Sequence, residues 1–219
     1  MHGDPVWGLF LTNVLSHAAM LPALLQLIKR GWMYEVSIAC FSLVTSLMYH
    51  SCETFQTSFF LSELQWHRLD NIAAIAVFGT FFVYLCHFDN VYAETFTKHI
   101  VFFVTMVLQE KSPWDVNFTI APIVVCGTLP IIVHTMTHQR LPQYDWKAFT
   151  LGFGILGAAL PFFAMGLDEN NDPWRAFHGM WHLLVGVANI YLWRIVKNPQ
   201  ATMYQSPLTS RNKAEDWDR

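Results

Sequence analysis

The spacing of its charges constrains this chain more than any other feature. Only 13% of its 219 residues are Asp, Glu, Lys or Arg, about half the share of roughly 25% in an ordinary soluble domain. Those charges sit in short clusters separated by long uncharged runs. A helix that crosses a bilayer needs about 20 mostly apolar residues. Seven runs have that character, over residues 6–28, 33–52, 70–88, 96–110, 116–137, 147–167 and 175–196. The expectation is an all-α fold, a seven-transmembrane helix bundle in one domain over 1–197, followed by a polar cytoplasmic tail, 198–219. A disordered chain, a basic nucleic-acid-binding domain and a secreted disulfide scaffold are excluded by composition. A net charge of −3 gives no reason to expect a nucleic-acid partner.

The basic residues orient the bundle. With the N-terminus outside, the inner loops and tail hold Lys29, Arg30, Lys98, Arg140, Lys147, Arg194, Lys197, Arg211, Lys213 and Arg219, and the outer loops hold Arg68, Lys111 and Arg175. That bias of ten to three predicts the N-terminus outside and the C-terminus in the cytoplasm. The first run lacks a basic leader and a small-residue cleavage site, so it reads as a retained helix. The fourth run is the weakest, because its uncharged core is short. Pro122, Pro130 and Pro161 fall inside the fifth and sixth runs and predict kinks. Gly152, Gly154 and Gly157 suggest a face for close helix contact. Cys40, Cys52, Cys86 and Cys126 lie in apolar segments and read as small buried hydrophobes.

Ionisable groups inside a membrane are costly, so they are functional candidates. Of ten histidines, His2, His67, His87, His99 and His138 lie near predicted helix ends. His17 and His134 lie inside spans, each alone, and read as hydrogen-bonded packing residues. His178 and His182 differ: an i, i+4 pair shares one helix face, with Cβ atoms about 5–6 Å apart. His50, at the outer end of the second run, falls at the same depth. Asp70, at the outer start of the third run, joins them, and Ser46 lies one turn deeper than His50. Three imidazoles beside a carboxylate and a hydroxyl suit a catalytic-type zinc site, which leaves one coordination position for water or substrate. In such a site Asp70 serves as a general base or orients a ligating histidine, and Ser46 hydrogen-bonds the water or an oxyanion. The other reading of the spacing is a set of separate interhelical hydrogen bonds.

Several stretches carry a resemblance: MLPALLQLIKRGWMYEVSIACFSLVTSLMYHSCE, HRLDNIAAIAVFGT, CHFDN and FHGMWHLL. Across about residues 20–196 the chain resembles the myomaker family of myoblast-fusion proteins. That family is similar to the seven-span metal-dependent hydrolases that include alkaline ceramidases and adiponectin receptors. The shared pattern is Ser-x3-His, then Asp, then His-x3-His, met here by Ser46, His50, Asp70, His178 and His182. The resemblance implies zinc on His50, His178 and His182, with Asp70 and Ser46 beside it as catalytic residues if the chain is a hydrolase. It also implies a plasma-membrane protein, or one of the Golgi and secretory pathway, that promotes cell–cell fusion. Its partners would be membrane lipids, a second copy in a homodimer and a small single-span fusion partner. Two features depart from vertebrate members of the family: Ser46 itself, and a tail without cysteines for lipidation. Both leave open the alternative of a zinc-dependent intramembrane amidase or esterase.

Overall fold

The computed structural model describes residues 4–112, 114–136 and 143–197. Arg140, His2, His138 and the tail at 198–219 lie outside the described residues. The described chain is all-helical, with no β-strand beyond two isolated bridge pairs. Seven helices follow one another: α1 Val6–Arg30, α2 Met33–Phe55, α3 Glu63–Cys86, α4 Val91–Lys111, α5 Val116–Met136, α6 Trp146–Gly166 and α7 Ala176–Leu192. Five of them, α1 and α3 to α6, are long and apolar enough to cross a membrane. The remaining two are α2, which buries Glu35, Thr45, Ser46, His50 and Glu53, and the 17-residue α7. The helices that fall short in hydropathy or length therefore carry most of the histidine cluster.

Helix starts differ from the sequence expectation where capping outweighs hydropathy. The third helix begins at Glu63, seven residues before Asp70, because Ser62 closes a capping box with Gln65. Asp70 is thus two turns inside α3 rather than at its start. The fourth begins at Val91, where the Asn90 side chain accepts hydrogen bonds from the Tyr92 and Ala93 amides. It accommodates Lys98 by pairing the buried ammonium with Glu35 and Glu94. The last helix stops at Leu192, and residues 193–197 fold back so that the Val196 amide donates to the Tyr84 hydroxyl.

Helix α3 is the most enclosed, packed on α2, α4 and α5, while α7 packs on α6 and α1. Large apolar side chains such as Phe103, Val107, Val125, Ile131 and Leu160 face outward, and polar ones such as Asn13, His17, His50 and Gln109 face inward. That arrangement suits lipid as the solvent. One end of the bundle is tied by Asp4 to Trp174 and by Arg68 to Glu110. The opposite end is tied by Arg30 to Trp193 and by His134 to Leu85.

The small residues that bring helices together are mostly not those the sequence suggested. A Cβ on Gly154 or Gly157 would meet nothing within 4 Å, whereas one on Gly152 would come within 2.8 Å of Leu192. The closest approach of a glycine to a neighbouring backbone is α7 to α1. There a Cβ on Gly179 would lie 2.6 Å from the Thr12 carbonyl oxygen, and one on Gly186 would lie 2.6 Å from the Ala19 backbone. Backbone cannot yield as a side-chain tip can. Gly186→Ala is therefore expected to destabilise the bundle by about 1–3 kcal/mol, read as a lower melting temperature in detergent. Gly157→Ala, facing open space, is the control that leaves it unchanged.

Candidate metal centre

The histidine cluster is assembled from three helices. On α2, His50 is fully buried. Its Nδ1 lies 2.8 Å from Glu53 Oε2, on the same helix face three residues on. A carboxylate only accepts, so Nδ1 carries the proton and Nε2 is left with its lone pair. That lone pair faces Nε2 of His178 and Nε2 of His182, each at 3.2 Å. One lone pair accepts one N–H well, not two. A tetrahedral ion held by nitrogens at about 2.0–2.1 Å separates them by roughly 3.3–3.4 Å, close to both distances. The donor set fits a metal ion better than a hydrogen-bonded histidine trio.

Helix α1 adds a fourth imidazole. His17, His50 and His182 are all buried, and their ligand nitrogens fall within 4.8 Å of one another, so these three can hold a metal ion. The His17 ring centroid is 4.2 Å from that of His182 and 5.3 Å from that of His50. His17 is hydrogen-bonded, as its sequence reading required, with Nε2 2.8 Å from Ser46 Oγ and Nδ1 3.2 Å from the Val14 carbonyl. It is not alone. Helix α1 departs from α geometry in the stretch that delivers it, with a π-turn over Phe10–Val14 and a 3-10 turn over Leu15–Met20. Such irregular turns are frequent at functional sites.

Ser46 links the cluster to Asp70. Its hydroxyl meets His17 on one side and hydrogen-bonds the Asp70 carboxyl on the other. The five residues singled out by the sequence therefore meet at one end of the bundle. Their chemical potential is plain: imidazole nitrogens converge on one point, with a hydroxyl and a carboxyl connected beside them.

Two buried charges, Glu53 and the Arg175 that the sequence set in an outer loop, hold this arrangement in place. Glu53 and Arg175 are 2% and 3% exposed, and Arg175 Nε lies 3.0 Å from Glu53 Oε1. Asn13 Nδ2 approaches Glu53 Oε2 at 3.3 Å, and Arg175 donates to the Gly166 carbonyl at 2.8 Å. The turn before α7 is strained to achieve this, with φ of 57° at Trp174 and 52° at Arg175. Asp172 caps α7 by accepting from the Phe177 and His178 amides at 2.8 and 3.1 Å. The available signal was Glu53 at i+3 from His50, the spacing at which a carboxylate can orient a ligating imidazole. Nothing comparable marked Arg175.

The fold and the site define a class: a helical, membrane-type protein with a buried polyhistidine centre able to bind a metal ion. Residues 6–183 match the family described as a protein of unknown function, DUF3522, and the chain belongs to that family. Comparison with curated proteins finds no match.

Proposed function

We propose that the chain is a seven-span plasma-membrane protein, N-terminus outside, that holds zinc at its outer end on His50, His178 and His182 and there engages a membrane lipid. In this reading it promotes cell–cell fusion in the manner of the family it resembles. The observation that carries the centre is the convergence of the His178 and His182 nitrogens on His50 Nε2, with Nδ1 of His50 tied to Glu53. Support for the orientation comes from the ten-to-three sorting of basic residues, and for fusion from the resemblance over residues 20–196. His17 is a neighbour rather than a ligand here, because its Nε2 is already engaged by Ser46. His178→Ala should therefore lose bound zinc, and His17→Ala should keep it.

A second reading is favoured by the Ser46–Asp70 contact: zinc-dependent hydrolysis of a lipid amide or ester. Zinc, when bound, polarises a carbonyl and brings the pKa of a water to about 7. The chain's own groups supply the rest. The Asp70 carboxylate accepts a proton from the attacking water and returns it to the leaving group. The Ser46 hydroxyl, which has one proton to give, orients that carboxylate. The test offers labelled ceramides and phospholipids to the reconstituted protein. Hydrolysis requires turnover that falls about 10²–10⁴-fold in Asp70→Asn and vanishes in His182→Ala. Absent turnover leaves the zinc in a lipid-binding or structural role. Expression in fibroblasts beside fusogenic cells tests the first reading, which fails if syncytia never form with a compatible partner.

A further inference from the structure

His17 is built as a ligand, although zinc is assigned above to three other histidines. The residue is buried. Its Nδ1 lies 3.2 Å from the Val14 carbonyl, which only accepts, so in the neutral ring Nδ1 carries the proton and Nε2 keeps a lone pair. Histidines that hold a metal almost always donate the other ring N–H in this way. His50 has the same arrangement, with the Glu53 carboxylate in place of the carbonyl. The ligand nitrogen of His17 falls within 4.8 Å of those of His50 and His182, and its ring centroid lies 4.2 Å from that of His182.

What keeps Nε2 from an ion is Ser46. A buried lone pair needs a donor, and the Ser46 hydroxyl at 2.8 Å supplies one. That hydroxyl has a single proton and two claimants, because it also hydrogen-bonds the Asp70 carboxyl. Donation to an Asp70 carboxylate leaves the His17 lone pair unmet, and an ion on the neighbouring histidines can take it. Zinc accepts four ligands and in passing five, so a fourth imidazole and an attacking water are compatible.

We propose that His17 is an exchangeable fourth ligand of the centre, held off the ion while Ser46 donates to its Nε2 and bound to the ion when that proton goes elsewhere or the hydroxyl is removed. The inference rests on the zinc centre proposed above and needs neither turnover nor syncytia. Its test uses the full chain in detergent, with zinc X-ray absorption to count the imidazoles on the ion and competition with a chelator to measure affinity. The expected count is three imidazoles and one oxygen in the parent and four imidazoles in Ser46→Ala. Zinc affinity should rise about fivefold in Ser46→Ala, the worth of the hydrogen bond that no longer competes. Ser46→Thr, which keeps the hydroxyl, should match the parent. Adding His17→Ala to Ser46→Ala should return the count to three and abolish the gain. A second line leaves Ser46 in place: His178→Ala should bind zinc through His17, His50 and His182, too weakly to survive dialysis, and His178→Ala with His17→Ala should bind none. Three imidazoles in Ser46→Ala, an affinity gain that persists without His17, or equal residual binding in His178→Ala with and without His17 would overturn the proposal. A parent that binds no zinc removes the centre itself, whereas a parent that binds zinc with an imidazole count unchanged by Ser46→Ala removes only the role of His17.

Discussion

Arg175→Ala is expected to destabilise the protein by about 3–5 kcal/mol, a larger loss than any truncation on the lipid-facing surface. The guanidinium is buried against Glu53, and removing one partner of a buried ion pair strands the other charge away from water. The loss should spread to the centre, because Glu53 is the acceptor that fixes His50 Nδ1, and the α6–α7 turn would lose its hold on the Gly166 carbonyl. A melting curve in detergent would show the drop. The paired change Glu53→Met with Arg175→Met separates charge from packing: it should recover much of the stability, since well-packed apolar replacements of buried pairs are often neutral or better. It should not recover metal affinity, because His50 would lack its carboxylate. Equal melting temperatures for Arg175→Ala and the parent would show that the pair is not the brace described.

His50→Ala should release the metal altogether, the second large effect. His50 is the common neighbour of His178 and His182, so its loss leaves a cavity where three nitrogens met. Glu53→Gln is the graded companion. It retains shape and a hydrogen-bond acceptor but not the charge, and replacing such an orienting group costs about 10–100-fold in metal affinity. A bound ion stabilises the native state by mass action, about 2.7 kcal/mol at a hundredfold excess over Kd. Chelation should therefore lower the melting temperature of the parent protein and leave that of His50→Ala unmoved. A chelator response that persists in His50→Ala would place the ion elsewhere.

The sequence made legible what depends on hydropathy and spacing. Uncharged runs located all seven helices, and the i, i+4 spacing of His178 and His182 placed both on one face beside His50. What hydropathy cannot see, it missed. The polar first turns of α3 are helical because Ser62 caps them, so Asp70 lies deeper than its charge suggested. His17 looked solitary because its neighbours come from α2 and α7, and α1 delivers it through π- and 3-10 turns that no 3.6-residue period encodes. Arg175 looked like a loop cation because its burial depends on a strained turn and on Glu53, more than a hundred positions away in the chain. Of the close glycines only Gly152, which meets Leu192, was placed. Gly152, Gly154 and Gly157 advertised themselves by repetition, while Gly179 and Gly186, which α1 crowds, carry no such pattern.

The central claim is that the histidines form a metal centre, and the most direct measurement is the metal content of the purified full chain by mass spectrometry. The expected result is about one zinc per chain that survives dialysis, is lost in His50→Ala and His182→Ala, and is retained in Gly157→Ala. Protein that purifies folded without metal and gains no thermal stability when zinc is added would contradict it, as would zinc content unchanged by His50→Ala.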